Sequence, residues 1–453
     1  MWSITRFTVV ASFLLSAVVA DSAAVEDPPL LPSQDPWYDQ PENIASFSPG
    51  QLIRTRQVSS KLQPFFSSLP ADISVESVHQ YLFRTTDSIG DPVASVVTLI
   101  EPSNADPNKL LAYQAPYDSA SPDCSPSYTI QDRNTLGFEG FKLPGTNIST
   151  DIPFVAAALN KRWWVLTTDY EGLDAQFTAG LQSGHATLDS IRVVLKEGPK
   201  VGLGVNPNYA LWGYSGGALA SGWAVELQPT YAPELTFAGA ALGGLTPNIS
   251  SVLETINNSS FTGLAFSGMY GQAKAYSNFS NWLETNLMPE KANKFWDAAN
   301  SCLAGARDKG GGEDMYKYIR NGKASFLEPV PQSIFKYSGQ MGIRGTPTVP
   351  LFVYKAVGDE VSPIEDTDAL VEQYCAKGAR VEYHRDWVGK HMSEAIAGSA
   401  SALNWLSERM NGEEVDDKCS TKQVVLSELD PATLVTLGEE LFAFLQSILG
   451  AIL

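Results

Sequence analysis

Short apolar runs ending in turn formers recur along the chain. Ala94–Ile100, Leu110–Gln114, Trp163–Thr168, Tyr209–Gly213, Phe237–Leu242 and Val349–Tyr354 predict buried strands. Between them the apolar period lengthens. Leu188, Ile191 and Leu195 share one helix face, which Gly198-Pro199 ends, and Met392–Leu406 reads as another helix. Alternating strands and helices imply an α/β fold, a mostly parallel sheet with helices on both faces. From 246 to 345 helical patterns continue without core strands, and Lys309-Gly310-Gly311-Gly312 is a flexible stretch. This region reads as a helical cap inserted between two strands. The chain thus divides into 1–20, a core over 21–245, the cap over 246–345, and the rest of the core over 346–453. Residues 21–60, rich in Pro, Asp and Ser, read as an extended lead-in.

The ends have their own patterns. Arg6 precedes an apolar run from Phe7 to Val19, and Val18-Val19-Ala20 is a small-residue cleavage site. That is a secretory signal peptide; the run is shorter than the roughly 20 residues a membrane span needs. At the other end Leu434, Leu437, Leu441, Leu445, Ile448 and Ile452 fall at near-helical spacing. They predict an amphipathic segment that docks on the core or makes transient contact with a lipid surface. Asn147, Asn248, Asn257, Asn258 and Asn278 each open an N-x-S triplet. They are candidate glycosylation sites on an exported chain.

Charge narrows the function. In 453 residues, 31 Lys and Arg face 50 Asp and Glu, a balance of −19. Nucleic acid is excluded as a partner, because phosphate binding needs clustered cations. No integral membrane anchor is expected. Four His and four Cys, scattered along the chain, do not suit a metal centre, and no metal or organic cofactor is implied.

The chemistry lies in Tyr209-Ala-Leu-Trp-Gly-Tyr-Ser-Gly-Gly-Ala-Leu-Ala220. A strand runs into Gly213-Tyr214-Ser215-Gly216-Gly217 and a helix follows, which is G-x-S-x-G in the context that gives it meaning. The tight turn exposes the Ser215 hydroxyl, and the Gly216 N–H points at a developing oxyanion. A serine needs a base, normally His held by a carboxylate, and here the chain order is Ser, acid, His. Only His384 and His391 follow Ser215. His384 sits in the alternating strand pattern Val381-Glu-Tyr-His-Arg, whereas His391 sits where a loop enters a helix, so His391 is the candidate base. Asp359 is the first carboxylate after the strand Val349–Ala356 and is the candidate acid; Glu360, Glu365, Asp366 and Asp368 are rivals. His79 and His185 precede the nucleophile and read as structural. The reaction these residues imply is acyl transfer through Ser215.

These residues resemble the fungal secretory lipases, the group of the Candida secreted lipases and the antarctica type of lipase A. The resemblance rests on Trp212-Gly-Tyr-Ser-Gly-Gly, Thr168-Asp-Tyr-Glu-Gly-Leu and Phe177-Thr-Ala-Gly-Leu-Gln-Ser-Gly-His-Ala-Thr-Leu-Asp-Ser-Ile-Arg192. It rests also on Tyr117-Asp-Ser, Asp123-Cys-Ser-Pro-Ser-Tyr, Gly358-Asp359 and Gly389-Lys-His391, and it covers nearly the whole mature chain. It implies an α/β-hydrolase core with an inserted lid and the triad Ser215, Asp359, His391. It further implies an oxyanion hole of Asp118 with Gly216, and disulfides Cys124–Cys302 and Cys375–Cys419. An ionised Asp118 carboxylate cannot donate, so it would offer its backbone N–H or a protonated carboxyl. The implied activity is a secreted lipase acting on acylglycerols or other lipid esters. An esterase for a specialised metabolite, or a binding protein on an inactive hydrolase scaffold, are the alternatives.

Overall fold

The computed structural model describes residues 28–62, 74–136 and 152–425. The leader, Asn147 and the C-terminal amphipathic segment lie outside the described residues. Ten strands occur among those described: β1 Leu52–Val58, β2 Val75–Thr86, β3 Pro92–Pro102, β4 Asp106–Gln114, β5 Trp163–Thr168, β6 Asn208–Tyr214, β7 Ala240–Gly243, β8 Leu351–Ala356, β9 Val381–Asp386 and β10 Ser420–Val424. They form one sheet in the order β1-β2-β3-β5-β4-β6-β7-β8-β9-β10. The first three pairings, as far as β3 with β5, are antiparallel, and every pairing from β5 onward is parallel.

The helices, in chain order, are α1 Pro126–Thr129, α2 Ile152–Asn160, α3 Gly180–Glu197 and α4 Gly216–Tyr231. Then come α5 Ile249–Ile256, α6 Thr262–Ala275, α7 Ser277–Asn286, α8 Pro289–Ala299, α9 Leu303–Gly310 and α10 Pro329–Gly339. The last two are α11 Ile364–Ala376 and α12 His391–Met410.

The sheet is buried on both faces, and β6 shows how. Ala210, Trp212 and Tyr214 enter the core shared with α2 and α12, while Tyr209 and Leu211 enter the core shared with α3 and α4. A period of two thus divides one apolar run between two layers. Helices α5 to α10 occupy the chain between β7 and β8, with a core of their own built on Phe266, Phe279, Leu283, Phe295 and Phe335.

Three differences from the sequence expectations have physical causes. The lead-in is not a plain extended arm: 3₁₀ turns occur at Pro36–Tyr38 and Ile44–Ser46, and Leu52–Val58 pairs into the sheet as the edge strand β1. Arg54, Arg56 and Gln57 interrupt its apolar pattern, as charged residues on edge strands do. Arg56 pairs with Asp35 at 2.5 Å and lies 4.0 Å over the Trp37 ring. Strand β8 starts at Leu351, two residues late, because Pro350 has no N–H to donate; its carbonyl accepts from Ala240 at 2.9 Å. Strand β10 is mostly exposed and polar, so no apolar run announces it.

Two disulfides are present, Cys124–Cys302 and Cys375–Cys419. The first joins a 3₁₀ turn at Pro122–Cys124 to the start of α9, tying the helical insertion to the core. The second joins the end of α11 to the residue before β10.

Candidate active site

Ser215 stands between β6 and α4 with φ +53° and ψ −118°, a conformation that favours glycine. The strain has local support. The Ser215 N–H donates to the Gly243 carbonyl at 2.9 Å, and its carbonyl accepts from Leu219 at 2.8 Å. The neighbours must be small: a Cβ on Gly217 would lie 1.9 Å from the Gln114 carbonyl oxygen. Ser215 is therefore held at the carboxyl end of the parallel strands, where ligands bind in open α/β sheets.

His391 opens α12. Its Nε2 lies 2.9 Å from Ser215 Oγ and its Nδ1 lies 2.8 Å from Asp359 Oδ2. The ring is wholly buried. Two further bonds fix its backbone: the N–H donates to Glu360 Oε2 at 2.9 Å, and the carbonyl accepts from the Tyr214 hydroxyl at 2.6 Å. Asp359 follows β8 and accepts at Oδ1 from the Val361 and Ser362 amides, at 2.8 and 2.9 Å. Burial works to raise its carboxyl, but the charges of His391 and Lys355 and the His391 and Ser362 hydrogen bonds outweigh it. The carboxyl is held well below its ordinary range.

The rivals have other partners. Glu360 serves the His391 amide, and Glu365 and Asp366 lie in the first turn of α11. Asp368 accepts from the Tyr383 hydroxyl at 2.9 Å and from Arg385 at 3.0 Å. His384 lies on β9 beside Glu382, and His79 lies on β2 beside Ser77. His185 stacks on Tyr231 at 4.1 Å, and burial lowers it to about 4. None of the three is in the serine's hydrogen-bonded line.

Asp118 follows β4 with φ +42° and is buried. A Cβ on Gly216 would meet its Oδ1 at 1.8 Å, so glycine is what lets Asp118 close on the start of α4. Behind it lies Glu171, whose carboxyl is raised well above its usual range by burial and by the Asp118 charge, against the Ser119 amide, Tyr117 and Lys274. From Ser215 and Asp118 a narrow cavity of about 60 Å³ runs toward the helical insertion. Leu219, Ile249, Leu253, Leu264, Met269 and Phe335 give it apolar walls. Among the described residues no cluster of His, Cys, Asp and Glu could hold a metal ion.

Sequence reasoning missed Lys355, Tyr214 and Glu360 as partners of the site. Lys355 breaks the apolar run of β8, but its burial and its partners are set by packing that the run does not show.

The secretory lipase family model matches residues 139–417. The chain belongs to the secretory lipase family. This family member is 36% identical over 428 residues to lipase A of Arthroderma benhamiae, covering 94% of this chain and 89% of that one. It is 36% identical over 421 residues to trichothecene C-3 esterase of Fusarium sporotrichioides, covering 90% of each. Its fold is similar to that of Candida antarctica lipase A in its closed state, with TM-score 0.80 and 26% identity over 93% of this chain and 96% of that one. The family member is an α/β-hydrolase of the lipase and esterase class.

Proposed function

We propose that this enzyme is a secreted serine carboxylic-ester hydrolase, a lipase for acylglycerols, working through an acyl-enzyme on Ser215. The observation that carries this reading is the line Asp359–His391–Ser215 at the foot of an apolar cavity. Ser215 Oγ attacks the ester carbonyl carbon while His391 Nε2 takes its proton. The new C–O bond places the negative charge on the carbonyl oxygen, facing the Gly216 N–H and Asp118. Collapse breaks the bond to the alcohol, which leaves with the proton from His391. Water then repeats the cycle: His391 takes its proton, its oxygen attacks the acyl carbon, the bond from that carbon to Ser215 Oγ breaks, the carboxylic acid leaves, and Ser215 takes the proton back from His391. Asp359 orients the ring and stabilises the imidazolium throughout.

The apolar cavity receives the acyl chain, and the helical insertion over it is the lid. Trp387, 59% exposed, and Val388 stand on the loop before His391 and suit transient contact with a lipid surface. Among the described residues no helix is long and apolar enough to cross a membrane. Export is in keeping with the family and with the two disulfides. Of the sequons described, Asn258 and Asn278 are exposed and suit a glycan. Asn257 is engaged by Asp314 and the Met315 amide, and Asn248 caps α5.

The Fusarium esterase, as similar as the Arthroderma lipase, supports a second reading, deacylation of a specialised metabolite. A panel of emulsified triacylglycerols and soluble p-nitrophenyl esters of rising chain length separates the two. Preference for long chains, with a rate jump above substrate solubility, supports the lipase. Preference for acetyl esters without a jump supports the esterase.

A further inference from the structure

Lys355 is the last residue but one of β8, and its side chain is wholly buried. Its Nζ donates to the Leu245 carbonyl at 2.7 Å and lies 3.2 Å from Asp359 Oδ2. That is the oxygen that takes the His391 Nδ1 bond at 2.8 Å. One carboxylate oxygen therefore serves two cationic partners, the imidazolium that forms in each turnover and the Lys355 ammonium. Burying an ammonium is unfavourable unless a partner offsets the lost hydration. A strand residue here could have been apolar like its neighbours Val353 and Ala356, so the charge is not needed to fill the core.

The charges that reach Lys355 are Asp359, from the loop after β8, and Asp366 and Asp368, from α11. His391, from α12, shares the Asp359 oxygen, Glu360 holds the His391 amide, and Tyr214, from β6, feels the Asp359, Glu394 and Glu360 charges. The Leu245 carbonyl, after β7, also takes the Ser362 and Thr367 hydroxyls, at 3.1 and 3.4 Å. Burial pushes the Lys355 ammonium down, and Asp359 is the foremost group that holds it up.

The geometry points to Lys355 as a positioning residue of the triad, whose charge competes with His391 for Asp359 Oδ2 and so sets how far into acid the enzyme keeps working. This rests on the triad reading above. The sign follows from the competition. With the ammonium present, Asp359 holds a protonated His391 less strongly, and the base stays free to lower pH. Removing the ammonium leaves Asp359 Oδ2 to His391, and the acid limb of activity moves to higher pH.

The test is the pH dependence of kcat/KM on a soluble p-nitrophenyl ester for wild type, Lys355→Met, Lys355→Gln and Thr367→Val. Fluorophosphonate titration counts folded, competent Ser215 in each. The two lysine variants should show an acid limb about one pH unit higher, with a plateau within about tenfold of wild type. Thr367→Val loses a bond to the same carbonyl without a change of charge and should leave the limb in place. A limb at the wild-type position in a titratable Lys355→Met or Lys355→Gln overturns the proposal, as does a titratable variant with no turnover at any pH. Should neither variant fold, ¹³C NMR of the lysine ε-carbons in the wild type decides. The Lys355 signal should move through the acid limb, and a signal that stays fixed overturns the proposal. Ser215→Ala, run alongside, reports on the triad itself: undiminished hydrolysis there removes the triad reading, whereas an unmoved limb with Ser215→Ala inactive removes only the role of Lys355.

Discussion

Glu360 accepts the backbone N–H of His391 at 2.9 Å. The residue after Asp359 therefore anchors the first turn of the helix that carries His391. A carboxylate there also favours the helix N-terminus electrostatically. Losing one charge-assisted hydrogen bond at this point should cost about tenfold in kcat/KM. Glu360→Ala should show that loss with KM little changed, and Glu360→Gln should retain most of the rate. Steady-state kinetics on one soluble ester checks both.

Asp118 tests the oxyanion hole. Removing one donor from such a hole lowers kcat by about 10² to 10³. Asp118→Ala should fall in that range, and Asp118→Asn, which brings its own N–H donors and tolerates the positive φ, should fall less. Stopped-flow measurement of the acylation burst checks it, and an unchanged burst in Asp118→Ala would remove Asp118 from the hole.

The two disulfides close loops of very different length, with sequence separations of 178 and 44. Chain entropy assigns about 5 kcal/mol to the longer loop and about 4 to the shorter, as upper figures. The Cys124→Ser, Cys302→Ser pair should therefore lower the melting temperature more than Cys375→Ser with Cys419→Ser. It should also lower activity, because Ser119, beside Asp118, donates to the Ser301 carbonyl at 3.0 Å across the same junction. Calorimetry and the ester assay on the two double variants test this.

Asp169 gives a pH dependence of stability. Burial raises its carboxyl to about 7, against the Ser127 hydroxyl, at 2.5 Å, the Ser127 amide, at 2.9 Å, and the Arg56 charge. The unfolded chain titrates this group near pH 4. Between about pH 4 and about pH 7 the folded state therefore binds more protons than the unfolded one. Its contribution to stability is complete below about pH 4 and is lost as pH rises through about 7. Asp169→Asn should flatten that part of the melting-temperature profile, leaving wild type relatively more stable at pH 5 than at pH 7.5.

The parallel half of the sheet was legible because β5, β6, β7 and β8 are buried on both faces and show as plain apolar runs. The two edge strands were harder to read: β1, on the antiparallel side, carries arginines, and β10, parallel to β9 on the other side, is exposed. The candidates Ser215, read from its motif, and His391 and Asp359, read from the loops after their strands, meet in one hydrogen-bonded line, since local sequence determines those turns. Lys355, Tyr214 and Glu360 could not be read in this way, because their roles depend on which side chains meet across β6, β8 and α12. Packing of elements distant in sequence decides that, and no short pattern records it.

Acid-quenched mass spectrometry during turnover of p-nitrophenyl butyrate tests the acyl-enzyme on Ser215 most directly. A butyryl adduct should appear on the peptide containing Ser215 and be absent in Ser215→Ala, whose kcat should drop by several orders of magnitude. No adduct in the wild type, with Ser215→Ala hydrolysing the ester at the wild-type rate, would contradict the account.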